Sequence, residues 1–330
     1  MKRLSIALAA TAACLAAPLA AQTTTSPAAA PPTAPAPVPA MVDAPCPPAE
    51  VLPPVVLNMM RIIVTPPAER ATLLQALTPE QRGQAEAIRA MFAPPAERAA
   101  ILQTLTPEQR AQAEAMRVVM DKKQADQKAR DWPNLCQYKA ANAQVITSGR
   151  PDIVFMGDSI TEIWKLSDSA MFDDKIVDRG ISGQTTPQML VRFMQDVVSL
   201  RPRAVHILAG TNDIAGNTGP NAPEDYMNNI RAMVALAKAN GIAVILGSIP
   251  PCNHFFFRPD LKPAPQVVAL NTWLRDFAAK NHVVYVDYYA ALVDGQGGFK
   301  AALTPDGVHP NRDGFALMKP LAQAAIRNAK

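Results

Sequence analysis

The sequence predicts a doubly wound α/β domain over residues 131–330, preceded by a small all-helical repeat module over residues 52–130. Two observations carry that assignment. After Asp131-Trp132-Pro133, short apolar runs alternate with amphipathic stretches as far as Lys330, the pattern of a parallel sheet of about five strands covered by helices on both faces. Between Thr65 and Lys122 the chain instead repeats itself. Pro66-Pro67-Ala68-Glu69-Arg70 returns as Pro94-Pro95-Ala96-Glu97-Arg98, and Leu77-Thr78-Pro79-Glu80-Gln81-Arg82 returns as Leu105-Thr106-Pro107-Glu108-Gln109-Arg110, each 28 positions on.

The N-terminus reads as an export leader. Met1-Lys2-Arg3, the apolar run from Leu4 to Leu19 and the small pair Ala20-Ala21 supply the three regions of a signal peptide over residues 1–21. The apolar part is shorter than the roughly 20 residues that span a bilayer, and no later segment is longer, so a soluble exported protein, periplasmic or secreted, is expected. Acylation at Cys14 is the rival assignment, but Thr11-Ala12-Ala13 lacks the leucine such sites carry. Residues 22–51 are rich in Pro, Ala and Thr, with too few large apolar side chains to build a core, and read as a linker.

Each repeat reads as two short helices, 66–76 with 79–92 and 94–104 with 107–121. In Thr-Pro-Glu-Gln the threonine oxygen can accept an orphan amide, proline suits the first helical position, and the glutamine three residues on can close a capping box. Leu73, Leu74 and Leu77, and again Ile101, Leu102 and Leu105, give the first helix of each unit one apolar stripe. The Leu-Thr-x-x-Gln signature resembles that of small periplasmic helical chaperones and stress sensors. That likeness covers the repeats alone and implies a protein partner for them; a purely structural module is the alternative.

Of the four cysteines, Cys14 lies in the leader, and Cys46 and Cys136 bracket the helical module. Export permits a disulfide between that pair, which leaves Cys252 as an odd thiol. No spacing resembles a zinc site, and neither a metal nor an organic cofactor is expected. A net charge of only +4, with no basic run, argues against a nucleic-acid partner.

In the α/β region, strands are expected at 153–156, 175–178, 204–209, 243–249 and 283–287, and helices at 186–200, 223–240, 264–280 and 310–329. Ile153-Val154-Phe155-Met156 suits a strand buried on both faces, and it runs into Gly157-Asp158-Ser159. A serine then stands at the carboxyl end of a parallel strand, where open α/β sheets hold their ligands. The second strand leads into Gly180-Ile181-Ser182-Gly183 and the third into Gly210-Thr211-Asn212-Asp213. Glycine amides and an asparagine side chain are donors suited to an oxyanion. Asp306 and His309, three residues apart, can share one turn, the carboxylate holding one imidazole nitrogen while the other faces the serine. Singly, each block reads equally well as a turn, a cap or a polar loop. Together they point to nucleophilic acyl transfer.

The blocks Gly157-Asp158-Ser159-Ile160, Gly180-Ile181-Ser182-Gly183, Gly210-Thr211-Asn212-Asp213 and Asp306-Gly307-Val308-His309 resemble those of the SGNH hydrolases, or GDSL esterases and lipases, in the family's order and over nearly all of 131–330. The resemblance implies a flavodoxin-like three-layer sandwich. It also implies Ser159 as nucleophile, His309 as general base and then acid, and Asp306 as the group that orients His309. The implied oxyanion hole is the backbone amides of Ser159 and Gly183 with the side chain of Asn212. Ile160 replaces the leucine of the family nickname, Asp178 stands where many members have asparagine, and Asp158 and Asp213 are read as loop braces.

The expected reaction is hydrolysis of short-chain, above all acetyl, carboxylic esters through an acyl-enzyme, on a small-molecule or glycan substrate. A thioesterase or lysophospholipase with the same triad is one alternative, and a binding or chaperone-like protein that works through its repeats is another. Trp164 and the run Phe255-Phe256-Phe257 are candidates to line the substrate pocket, with core packing the competing role for each. His206, inside an apolar strand, is expected in the core; His254 and His282 have no carboxylate three residues before them.

Overall fold

Five short strands carry the architecture. β1 (Ile153–Gly157) is buried at every position and lies between β2 (Ile176–Gly180) and β3 (Ala204–Leu208), with β4 (Ala243–Gly247) and β5 (Val284–Val286) continuing beyond β3. All pairs are parallel, in the order β2-β1-β3-β4-β5, which is the flavodoxin-like winding. In this computed structural model the described residues are Cys46, 65–92, 95–173, 175–255 and 258–330. The expected leader, the linker apart from Cys46, residues 52–64, and Phe256 and Phe257 lie outside them.

Because successive strand side chains point to opposite faces, each strand supplies two cores. Val154, Met156, Val205, Ile207, Val244 and Leu246 face one side. There they meet helices α7 (Thr186–Asp196), α9 (Pro223–Ala239) and α10 (Ala264–Lys280) through Phe193, Ile230, Met233 and Leu274. Ile153, Phe155, Leu208, Ile245 and Val286 face the other. That side is covered by α6 (Ser159–Ser167), α11 (Tyr288–Leu292) and α12 (Arg312–Asn328), through Trp164, Tyr288, Phe315 and Met318. A short α8 (Thr211–Ala215) follows β3.

Ahead of the sheet stand α1 (Pro67–Ala76), α2 (Pro79–Phe92), α3 (Pro95–Thr104) and α4 (Pro107–Arg130), then α5 (Lys139–Ser148). The capping boxes form as their sequence requires. Gln81 and Gln109 accept from the Thr78 and Thr106 amides at 3.0 Å each and donate their own backbone amides to the threonine oxygens at 3.2 Å. The apolar stripes differ between units. Ile101 and Leu105 are buried against Ala87, Ala90 and Ala113, whereas Leu73 is 43% exposed.

Helix α4 runs to Arg130, well past the expected end at 121. Its last turns are polar residues of good helix propensity without an apolar stripe, so periodicity does not register them. Helix α5 goes unread for the same reason, since its apolar residues follow no single face. Cys46 and Cys136 are joined by a disulfide with a Cα–Cα separation of 5.4 Å.

Candidate active site

The winding order reverses between β1 and β3, and this switch point opens a crevice at the strands' carboxyl ends. Asp158 ends the strand segment by capping α6, its Oδ1 accepting the Ile160 amide at 2.9 Å. Ser159 is therefore the first residue of the helix, where a backbone amide has no partner within the helix. Its Oγ lies 2.9 Å from His309 Nε2.

His309 comes from the loop before α12, which is folded around Thr304 and Asp306. Thr304 Oγ1 accepts from the Gly307 amide at 2.8 Å and donates to the His309 carbonyl at 2.7 Å. Asp306 Oδ1 accepts the backbone amides of Val308 (2.9 Å) and His309 (2.8 Å), and Oδ2 meets His309 Nδ1 at 2.7 Å. Gly307, at φ +80°, makes this turn in a conformation that L side chains rarely adopt. Burial opposes charge on Asp306, yet the facing imidazole and the hydrogen bonds from His309 and Val308 outweigh it and bring the carboxyl down to about 2. Burial likewise opposes charge on His309, and the Asp306 carboxylate outweighs it, raising the imidazole above its usual value. Both side chains keep an outlet to solvent, with 26% and 31% exposure for His309 and Asp306.

The 181–184 loop passes beside the serine. Its start is fixed by the Ile181 amide donating to the Gly157 carbonyl at 3.1 Å, and by Glu162 Oε2, which accepts from the Ser182 amide and hydroxyl at 2.8 and 2.5 Å. Gly183 has φ +78°, and a Cβ there would meet nothing within 4 Å. Asn212 reaches in from α8. Its Nδ2 donates to Asp158 Oδ2 at 3.2 Å and to the Gln184 carbonyl at 3.1 Å, while its Oδ1 accepts from Asn217 Nδ2 at 2.6 Å.

The carboxylates that flank these groups hold loops. Asp213 accepts from the Thr186 amide, the Thr186 hydroxyl and Asn221 Nδ2, tying α8 to the start of α7. Asp178 Oδ1 accepts the Gly180 amide at 2.7 Å at the entry to the 181–184 loop. Burial pushes Asp158 and Asp213 up to about 6 and Asp178 up to about 7.

Sequence reasoning missed the group behind the loop. Arg192 on α7 is fully buried, with Nη2 donating to the Gly157 carbonyl at 3.0 Å, Nε to Gln184 Oε1 at 2.6 Å and Nη1 to Asp196 Oδ2 at 3.0 Å. Asn142 extends the network, donating to Asp196 Oδ1 at 2.7 Å and accepting from Arg179 Nε at 2.7 Å. The available signal was an Arg and an Asp four residues apart on the same helical face as Met189 and Phe193.

For Trp164 and Phe255 the structure shows the core-packing role and not the pocket one. Trp164 is fully buried, stacked on Phe315 at 5.4 Å and edge-on to Phe155, because its position on α6 faces the sheet. Phe255 is buried with Ala215, Cys252 and Val308 beneath the histidine loop. The remaining candidates, Phe256 and Phe257, fall outside the described residues. His206 stacks on Phe155, and its Nε2 lies 2.9 Å from the Tyr288 hydroxyl; burial lowers it to about 3, as suits a core imidazole. Among the described residues Cys252 is the free cysteine; it is buried, and burial pushes its thiol up to about 12.

The chain is similar to known acylhydrolases. A candidate acylhydrolase structure from Bacteroides fragilis is 42% identical, with a TM-score of 0.58, over 60% of this chain and 98% of its own. The profile of the GDSL-like lipase/acylhydrolase family matches residues 155–317. The chain belongs to that family. A GDSL-like lipase from Bacteroides thetaiotaomicron is 39% identical over 60% of this chain and 99% of its own, with a TM-score of 0.57. Esterase TesA of Pseudomonas aeruginosa is 28% identical over 141 residues, 42% of this chain and 63% of its own length. As a member of the GDSL family, the protein is an ester hydrolase.

Proposed function

We propose that the protein hydrolyses short-chain carboxylic esters, acetyl esters above all, through an acyl-enzyme on Ser159. One observation carries the acyl-enzyme: an unbroken relay from Ser159 Oγ to His309 Nε2 at 2.9 Å, and from His309 Nδ1 to Asp306 Oδ2 at 2.7 Å. Neutral His309 takes the proton of Ser159 as Oγ bonds to the ester carbonyl carbon. The tetrahedral oxyanion is met by the Ser159 and Gly183 amides and by Asn212 Nδ2, which shares a hydrogen now given to Asp158 or Gln184. The C–O bond to the alcohol then breaks, and His309 returns its proton to the leaving oxygen. Water, deprotonated by His309, splits the acyl-enzyme to the carboxylic acid and restores the serine.

We assign residues 131–330 as the catalytic domain and the repeats as an accessory module. A disulfide between Cys46 and Cys136 fits an oxidising compartment, which supports export. Among the described residues, no helix is long and apolar enough to cross a membrane.

The test is hydrolysis of p-nitrophenyl acetate, butyrate and octanoate by wild type and Ser159→Ala. Turnover that prefers acetate and falls at least roughly 10³-fold in the variant is expected. Turnover retained by a folded Ser159→Ala protein excludes the mechanism.

A further inference from the structure

The mechanism above leaves the helical module without a part in the chemistry. Beside Gly183 lies a cleft of about 330 Å³, open to solvent, between the 181–184 loop and the last turns of α4. Gln124, Gln127 and Lys128 line it from α4, Asn134 from the turn that follows, and Ser182 from the loop; Ile181 is the one apolar side chain on its wall.

The wall is pinned in place. Three glutamines of the catalytic domain donate to the segment just after α4. Gln188 Nε2 reaches the Trp132 carbonyl at 2.7 Å, Gln184 Nε2 the Pro133 carbonyl at 2.8 Å, and Gln195 Nε2 the Leu135 carbonyl at 2.7 Å. The Asp131 carboxylate accepts the Leu135 and Cys136 amides at 2.7 and 2.9 Å, closing the turn that the disulfide then anchors. Gln184 is held at the same time by Arg192, so one residue fastens both the oxyanion loop and the α4 segment.

An alkyl chain in this cavity would desolvate amides and an ammonium group without replacing their hydrogen bonds. Hydroxyl groups, which both donate and accept, match amides, a serine hydroxyl and an ammonium together. Gln124 and Lys128, four residues apart, share one face of α4 and can contact one ligand. We propose that the cavity is the subsite for a hydroxyl-rich, sugar-like portion of the ester substrate, and that Gln124 and Lys128 determine specificity for it. The proposal rests on the esterase assignment of Ser159 and gives the helical module its role: α4 is a wall of the substrate site.

The experiment uses the full chain and two substrates, a partially acetylated cello-oligosaccharide and p-nitrophenyl acetate. In Gln124→Ala/Lys128→Ala the ratio of kcat/KM for the oligosaccharide to that for p-nitrophenyl acetate falls roughly tenfold, as loss of one or two substrate hydrogen bonds implies, with the change in KM rather than kcat. Gln124→Leu/Lys128→Met, which keeps helix propensity and side-chain length, gives the same fall and guards against misfolding of the alanine pair. An unchanged ratio in both folded pairs overturns the subsite. So does a wild type that turns over p-nitrophenyl acetate through Ser159 but leaves the oligosaccharide acetylated. Turnover of p-nitrophenyl acetate that survives Ser159→Ala instead removes the esterase assignment itself.

Discussion

Arg192→Met isolates the network behind the oxyanion loop. Methionine fills much of the same volume but removes all five guanidinium donors. Three acceptors are then altered. Asp196, with no solvent exposure, loses its cation and keeps only Asn142 as a side-chain donor. Gln184 Oε1 loses its 2.6 Å donor, while the Gly157 carbonyl retains the Ile181 amide. Removing one partner of a buried ion pair costs about 3–5 kcal/mol. At about 2–4 °C per kcal/mol for a domain of this size, the melting temperature falls by about 6–20 °C. Activity falls as well, because the Gln184 carbonyl is one of the two acceptors that orient Asn212. A donor displaced by a fraction of an ångström costs roughly ten- to a hundredfold, mainly in kcat. Differential scanning fluorimetry, followed by p-nitrophenyl acetate kinetics below the onset of melting, reads both effects. A melting temperature within about 2 °C of wild type would refute the argument that this pair is tightly buried.

The pH profile and the disulfide supply two further tests. Asp306 raises the pKa of His309, so the base stays protonated to higher pH. The kcat/KM of wild type therefore climbs with pH through a midpoint above 6.5, and Asp306→Asn both lowers that midpoint and reduces kcat by about 10⁴. A wild-type midpoint below 6.5 in a profile from about pH 5 to 9 would exclude the assignment. The Cys46–Cys136 disulfide closes a separation of 90 residues, worth about 4 kcal/mol in the chain-entropy model. Dithiothreitol should lower the melting temperature of wild type by about 8–16 °C and leave Cys46→Ser/Cys136→Ser, already destabilised, unmoved.

What the sequence disclosed was whatever rests on local pattern. Ile153-Val154-Phe155-Met156 is apolar at every position because both faces of β1 are covered, and a continuous run is how such a strand looks in one dimension. Asp306 and His309 were legible because their partnership spans three residues, and the glycine between them marks the turn that brings them together. The pocket role considered for Trp164 fails, and its core role holds, because sequence distance from Ser159 says nothing about direction. Over less than two turns α6 rotates from the crevice to the sheet, and the indole ends among Phe155, Tyr288 and Phe315. Arg192 was illegible for a different reason. Its three partners come from 157, 184 and 196, and only the last is close enough in sequence to form a pattern.

That division explains how the oxyanion loop is built. Local signals set its turns, with Gly183 at positive φ and Asp178 holding the Gly180 amide, but its position is set by residues remote in sequence. Arg192, itself held by Asp196 and through it Asn142, fixes the loop from behind through Gln184, while the space that a Cβ on Gly183 would occupy is open. Donors held before the reaction require no reorganisation as charge develops, and the open side leaves room for the ester carbonyl. The Gln184–Pro133 hydrogen bond ties the segment after α4 to the same loop, and polar side chains of α4 line the cavity beside Gly183, where the proposed recognition takes place.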